Sequence, residues 1–444
     1  MPSWRRGVGV ARVLCKGCCR QPLLFAGAAL FLVFVYVFAV GSHSWNHNHV
    51  LVDSSNIDIA AIIREKHMDV QNSTTTTTEA TTLPTVQQLD DDASLTFEAA
   101  QKIRLERIQK ACAAPDRPIG FVNTLIGTAR GNLTYCMTPR SANTFWLQML
   151  RYSQRDFVDE VPQSPLDLDT RQVRTRPFIR TRRYNWKVLS EVEKDAVLNS
   201  KIFMSVQDPY WRLWTTYLTA LTLPDLWGSV GAKIEAKRPP VRDPLKRKPP
   251  LPCGDTVTFE EFVQYVLKAF EPDLQPIHHQ CDPCTLPLSY VIKASTAKRD
   301  NRYILSHLNL TWALELSDVE AELRQRYIKT MIMENFDRLH DIRIQRCVTF
   351  GDLARRLWHS FVLQGLLPDT AAMPEGIDDL HQTVFAERVA MLAQETAGEI
   401  PDRRKYMVAA FKHLSPDTLS AVRDKFMMDF QLFGYDPEPP EIFA

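Results

Sequence analysis

The sequence predicts an α/β fold with a central parallel sheet flanked by helices, behind an N-terminal transmembrane helix and a disordered stem. Three features support this prediction: a charge-free apolar run over residues 22–41, a Thr-rich segment after it, and a strand–polar turn–helix pattern that occurs twice further on. The 444 residues carry a net charge of +1 and are 45% hydrophobic, an ordinary globular composition. We divide the chain into a cytoplasmic tail (1–21), a transmembrane signal anchor (22–41), a stem (42–92) and a folded domain (93–444).

The apolar run at 22–41 is long enough to cross a bilayer as a single helix. Basic residues and no acids precede the run, and the first Lys or Arg after it is Arg64. The positive-inside rule therefore places the N-terminus in the cytoplasm and the rest of the chain on the lumenal side. A cleaved signal peptide is the alternative, although the run exceeds the usual apolar core of one.

The stem contains "NSTTTTTEATTLPT", which has too few large apolar residues to fold and is a candidate spacer for O-glycans. Glycosylation sequons occur at Asn72, Asn132 and Asn309, in agreement with a lumenal location.

The cysteines separate into two groups according to this topology. Three lie next to the membrane on the cytoplasmic side, where S-palmitoylation can occur: Cys15, Cys18 and Cys19. Six follow the span and could form up to three disulfides in any of 15 pairings: Cys112, Cys136, Cys253, Cys281, Cys284 and Cys347. "CDPC" could also be half a zinc site or a redox pair. Since no second CxxC or HxxxH motif accompanies it, we favour structural disulfides and predict no metal.

The strand–turn–helix pattern first occurs at "TYCMTPRSANTFWLQML", residues 134–150. Its polar turn carries a cation, Arg140, and leads into a helix, an arrangement that suits an anion at the helix N-terminus. The turn has no glycine, so it is not the usual phosphate loop. The pattern recurs at "KIFMSVQ", residues 201–207, followed by a helix with Pro209 in its first turn. Both turns would lie at the carboxyl edge of the sheet, where ligands bind.

Three further helices have clear signals. The first has apolar residues at helical spacing: Phe97, Ala100, Ile103 and Ile108. The second begins with a capping box of Thr258 and Glu261 and continues through Phe262, Val266 and Phe270.

The last predicted helix begins at Ser415 and Pro416 and ends at Gly434. Its predicted buried stripe consists of Leu419, Val422, Phe426 and Phe430.

Four sequence elements together resemble a known family. "TPRSANTFW", "SVQDPYWRLWTTY", "QPIHHQCDPC" and "DFQLFGYD" occur in the order found in the Golgi carbohydrate sulfotransferases related to chondroitin and dermatan 4-O-sulfotransferases. The resemblance covers about residues 95–437. It implies a P-loop-like sulfotransferase fold and a Golgi type II single-pass membrane protein with a lumenal catalytic domain. It also implies sulfuryl transfer from 3′-phosphoadenosine 5′-phosphosulfate to a sugar hydroxyl.

The resemblance assigns the first turn to the 5′-phosphosulfate of this donor. The binding residues are then Arg140, Ser141, Ala142, Asn143 and Thr144. Arg140 replaces a family lysine and keeps the charge, while its planar fork can bind two oxygens. We expect Arg140 to stabilise the leaving group.

The second turn is assigned to the 3′-phosphate, through Gln207, Arg212 and Thr215. Gln207 replaces a family arginine, and the lost charge would cost about 1–2 kcal/mol, or roughly five- to thirty-fold in affinity. Thr215 replaces a serine and retains a hydroxyl. Arg212 matches a second family arginine and either compensates or has a structural role.

Two candidates remain for acceptor chemistry. Asp273 occupies the position of a family histidine and would need a raised pKa to act as base. His279 is the other candidate, and both histidines of "IHH" could instead simply pack beside the disulfides. Ser295 replaces the acid of another family element.

The resemblance implies a glycan as the acceptor partner. The basic segments at 171–183 and 233–248 could attract an anionic glycosaminoglycan, and the alternative is that they are solvated loops. We predict no nucleic-acid partner, since these segments are lumenal, and a homodimer is compatible with the sequence. Trp146, Trp211 and Trp214 are predicted to pack in the core rather than stack on sugar.

Departures at residues 140, 207, 273 and 295 favour one alternative function, a catalytically weak or inactive sulfotransferase-like protein that binds glycans or partners in the secretory pathway. A mucin-like surface protein would explain the stem but not the folded domain.

Overall fold

The computed structural model describes residues 93–115, 119–129, 131–157, 162–239, 252–315, 319–396 and 402–444. Within these ranges no helix is both long and apolar enough to cross a membrane. The predicted cytoplasmic tail, the predicted span at 22–41, the stem at 42–92 and the sequon at Asn72 lie outside them. Asn132 and Asn309 are both exposed.

The described chain alternates between strands and helices before it becomes helical. The strands are β1 Thr124–Thr128, β2 Leu133–Cys136, β3 Arg182–Asn185, β4 Lys201–Val206 and β5 Leu288–Lys293. The helices are α1 Phe97–Cys112, α2 Asn143–Ser153, α3 Thr170–Thr175, α4 Glu191–Leu198, α5 Pro209–Ala220, α6 Ala232–Glu235, α7 Phe259–Lys268, α8 Ala297–Ser306, α9 Val319–Asp337, α10 Ile342–Gln345, α11 Phe350–Leu363, α12 Gln382–Glu395, α13 Arg404–Lys412, α14 Pro416–Phe433 and α15 Pro440–Phe443.

In the described part of the chain the strands form one mixed sheet with the order β3-β1-β2-β4-β5. Strands β2, β4 and β5 are parallel, as predicted, whereas β1 is antiparallel to both β2 and β3. The prediction of a central parallel sheet is therefore confirmed for β2, β4 and β5 and wrong for β1. Only residues 129–132 connect β1 to β2, and so short a connection can join only antiparallel neighbours. Gly131 and Asn132 adopt positive φ in this turn.

The core lies between the sheet and the helices that follow its parallel strands. In β4, residues 202–206 are all buried, and the Phe203 ring lies 4.7 Å from the ring of Trp146 in α2. Trp214 is also buried and Trp211 packs against the same core cluster, so the prediction that these tryptophans pack is confirmed. This packing holds both strand–turn–helix units against one sheet.

The helix signals are mostly confirmed, with two differences. Thr258 and Glu261 form the capping box of α7, but the helix ends at Lys268 and Phe270 is 91% exposed. Pro272 cannot continue the helix, and the chain is already extended at Ala269. In α1, Ile103 lies at the exposed edge of the stripe.

The last helix, α14, follows its prediction at both ends. Ser415 accepts a hydrogen bond from the N–H of Thr418, and Pro416 occupies the first turn. Gly434 ends the helix at φ +66°, where the guanidinium of Arg107 would meet any Cβ.

All six cysteines of the folded domain form disulfides, in the pairs Cys112–Cys284, Cys136–Cys281 and Cys253–Cys347. The structural interpretation of "CDPC" is confirmed, because its two cysteines bind different partners. Among the described residues no group of three or more His, Cys, Asp or Glu side chains is arranged to hold a metal ion.

Candidate functional site

The first candidate turn connects β2 to α2. Arg140 and Ala142 adopt left-handed backbone conformations at φ 60° and 58°, which are unfavourable for residues with a Cβ. In the described residues no side chain caps the N-terminus of α2. The N–H groups of its first turn are therefore free for an anion without the glycines of a phosphate loop.

Side chains beneath the turn fix its shape. The Tyr135 hydroxyl donates to Asn143 Oδ1 at 2.7 Å and to the Ser141 carbonyl at 3.2 Å. Ser141 is itself buried, and its N–H donates to the carbonyl of Thr138. The backbone of Ser141 and the side chain of Asn143 thus help to shape the turn, while the N–H groups at the start of the helix are what the turn offers a ligand.

The two predicted turns are joined through one residue of β4. The Thr138 hydroxyl donates to the Ser205 carbonyl at 2.5 Å, and Trp146 Nε1 donates to Ser205 Oγ at 2.9 Å. Both contacts are buried, so the turns after β2 and β4 are held side by side at the carboxyl edge of the sheet.

Arg140 is tied to an acid that sequence analysis did not identify. Its Nη2 lies 2.7 Å from Asp225 Oδ2, and Arg338 Nη2 lies 2.6 Å from Asp225 Oδ1. Burial tends to raise the pKa of Asp225, but the two guanidiniums lower it below the ordinary value. Arg140 is therefore at the predicted position, and its charge is partly neutralised.

A further arginine reaches the same turn from the basic segment at 171–183. Arg174, in α3, donates to Thr144 Oγ1 at 3.2 Å and to Glu334 Oε1 at 2.6 Å. The dense arginine content of this segment was the available signal, although it did not single out Arg174.

The second turn offers fewer groups to a ligand. Gln207 directly follows β4, and its Oε1 is buried with no hydrogen-bond partner among the described residues. Asp208 caps α5 by accepting from the N–H of Trp211 at 3.0 Å. Gln207 thus occupies the expected place and supplies no charge there.

Arg212 and Thr215 both make hydrogen bonds elsewhere in the protein. Arg212 is 2% exposed, donates to the Gln275 carbonyl at 2.7 Å and lies over the Phe426 ring. The Thr215 hydroxyl donates to the Trp211 carbonyl within its own helix. The structural role considered for Arg212 is the one that its contacts support.

Arg212 nevertheless connects the first turn to the predicted acceptor residues. Burial lowers the pKa of Arg212, Asp429 and Asp273 raise it, and Arg140 lowers it, so all three lie within electrostatic range. Asp273 is exposed on a 3-10 turn, Pro272–Leu274. Asp273 and Arg140 thus each lie within electrostatic range of Arg212.

His279 is half-buried beside Phe121 and His278. Burial lowers its pKa, and the neighbouring His278 lowers it further. Ser295 is exposed just after β5.

Sequence reasoning missed Asp225, Arg338 and Asp429. Asp429 had a usable signal, because it lies seven residues after Val422 within an otherwise apolar helix face. Asp225 and Arg338 had none, since they lie 85 and 113 residues from the groups they contact.

Comparison with family models gives one match. The model described as "Sulfotransferase family" matches residues 124–346, half of the chain, and covers both turns together with Asp225 and Arg338. Comparison with curated proteins and with solved structures returned no match. The mixed α/β sheet with its flanking helices fits such a fold. The chain therefore belongs to the sulfotransferase family, whose chemistry is sulfuryl transfer.

Proposed function

We propose that this chain transfers a sulfuryl group from 3′-phosphoadenosine 5′-phosphosulfate to a sugar hydroxyl of a glycan. The observation that carries this proposal is the uncapped start of α2 beside Arg140, at the edge of the sheet where β2 and β4 end. That arrangement suits the 5′ anionic end of the donor.

The reaction is an in-line displacement in which the acceptor oxygen bonds to sulfur while the bond from sulfur to the 5′-phosphate oxygen breaks. Arg140 and the N–H groups of α2 would stabilise the charge that grows on the departing phosphate. His279 would take the acceptor proton in its neutral form, which its lowered pKa favours. The protein would thus orient the donor and the acceptor and stabilise the charge on the leaving phosphate.

A glycan acceptor is supported by the basic segment at 171–183, from which Arg174 reaches the donor turn. Arg182, Arg183, Phe178 and Tyr184 line an open groove of about 490 Å³ at β3, which offers cations and aromatic rings together with one acid, Glu193. Arg174 joins this segment to Thr144 in the turn. A carboxylated or sulfated polysaccharide matches such a surface in charge.

The proposed compartment is the Golgi lumen, with the chain held as a type II membrane protein. Three disulfides and exposed sequons at Asn132 and Asn309 support an oxidising secretory compartment. A glycosidase-induced mobility shift that disappears in the Asn72→Gln, Asn132→Gln, Asn309→Gln triple variant would test lumenal exposure.

A second candidate is a sulfotransferase-like protein that binds glycans or partners without efficient turnover. The observation in its favour is the second turn, where Gln207 is neutral and Arg212 and Thr215 are engaged elsewhere. Donor affinity separates the two candidates.

The test is calorimetric titration of the full chain with 3′,5′-adenosine bisphosphate, the desulfated donor. We expect a Kd near or below about 10 μM, lost in Arg140→Ala. Arg343→Ala is the matched control, because Arg343 is 78% exposed and pairs only with nearby Asp341 among the described residues. Absence of binding up to about 1 mM would exclude the enzymatic function.

A further inference from the structure

Arg338 reaches the first turn through the carboxylate of Asp225. It begins a 3-10 turn, Arg338–His340, directly after α9 ends at Asp337. One oxygen of Asp225 accepts from Arg338 at 2.6 Å and the other accepts from Arg140 at 2.7 Å. The guanidiniums of Arg140 and Arg338 therefore bind the same carboxylate.

The end of α9 approaches this turn at two points. Glu334 lies in the last turn of α9, and Arg338 directly follows that helix. Glu334 binds Arg174, and Arg174 also donates to Thr144 in the turn. The position of Arg338 beside the turn is thus supported by a second, independent contact.

The Arg140–Asp225–Arg338 group retains capacity for an anion. Two guanidiniums and one carboxylate leave one net positive charge, and the side chains are 24%, 27% and 37% exposed, so the group borders solvent. A guanidinium has five N–H donors, and Asp225 accepts from only one nitrogen of each. In addition, Arg338 Nε is buried without a partner among the described residues.

We infer that Arg338 is a second donor-binding arginine, which contacts the 5′ anionic group together with Arg140. A phosphate or sulfuryl group presents several oxygens and can accept from two guanidinium forks at once. This inference rests on the proposed function. It supplies a second cation to the 5′ anionic group from a part of the chain far from the strand–turn–helix pattern.

The experiment compares two probes on the full chain by calorimetry. 3′,5′-Adenosine bisphosphate carries the 5′ anionic group, and adenosine 3′-monophosphate lacks it. Arg338→Gln is expected to weaken binding of the bisphosphate about tenfold or more, with Arg338→Lys intermediate. Both variants should bind adenosine 3′-monophosphate as the unchanged chain does. Arg343→Gln is the control and should leave both affinities unchanged.

Each other outcome overturns the inference. Equal bisphosphate affinities in Arg338→Gln and Arg343→Gln would leave the donor site standing and remove Arg338 from it. An equal loss for both probes would indicate a structural role for Arg338. Failure of the unchanged chain to bind the bisphosphate would overturn the inference and the proposed function together.

Discussion

The Asp429 carboxylate accepts a hydrogen bond from His278 Nδ1 at 2.8 Å, and both side chains are almost completely buried. The backbone N–H groups of Ile277 and His278 donate to the same carboxylate. Burial tends to raise the pKa of Asp429, but His278 and Arg212 bring it below the ordinary value. The last helix therefore fixes the segment that carries His279 and leads into the disulfide cysteines.

Asp429→Ala is expected to destabilise the fold strongly. It removes the acceptor of three buried donors and leaves His278 unpaired, which costs about 3–5 kcal/mol in the free energy of unfolding. Urea denaturation measures this change. Asp424→Ala is the control, because Asp424 is 64% exposed on the same helix and should cost less than about 1 kcal/mol. Equal losses in the two variants would show that the His278 contact contributes little.

Much of the fold could be predicted from the sequence, because its signals are local. The apolar runs of β2 and β4, Pro209 at the start of α5, and Ser415 with Gly434 at the ends of α14 all act within a few residues. The antiparallel placement of β1 was missed because the sequence analysis did not identify β1 as a strand. The sheet could then be inferred only from the two units that did show the pattern.

In the candidate site, too, the features with a local sequence signal could be predicted and those that depend on long-range contacts could not. The turn at 140–144 is local, and its position at the start of a helix was predicted; its use in ligand binding stays a prediction. Asp225, Arg338 and Asp429 act across 85 to 152 residues, and no spacing within one segment reports such contacts. Arg212 illustrates the limit, since its sequence position matched a binding residue while its burial against Gln275 is a tertiary property.

Gln207→Arg is expected to strengthen donor binding. It restores a cation at the carboxyl end of β4, where the buried Gln207 Oε1 has no partner among the described residues. A charge-assisted bond in place of a neutral one should lower the Kd for 3′,5′-adenosine bisphosphate roughly five- to thirty-fold. Calorimetry measures the change, with Gln207→Leu as the neutral control. Unchanged affinity would place the 3′-phosphate away from this turn.

His279 makes stability depend on pH in a defined window. Its folded-state pKa is lowered below 6.5 by burial and by His278, so the unfolded chain binds the proton more tightly. The contribution of His279 to the free energy of unfolding is therefore fully present above pH 6.5 and is lost as the pH falls through the folded-state pKa. In His279→Gln the free energy of unfolding should fall less steeply as the pH is lowered below 6.5 than in the unchanged chain. Identical slopes in urea titrations at several pH values would contradict the lowered pKa.

The contact between Trp146 and Ser205 should carry a measurable coupling energy, because it joins the two turns inside the core. Ser205→Ala leaves Trp146 Nε1 buried without an acceptor, which costs about 1–3 kcal/mol. Trp146→Phe removes the donor together with ring volume and costs stability by a separate route. The double variant should lose less stability than the sum of the two single losses, by about 1 kcal/mol, since no unpaired donor remains. Additive losses in urea denaturation would mean that the hydrogen bond does not link the turns energetically, and the side-by-side placement would then depend on Thr138 and on packing alone.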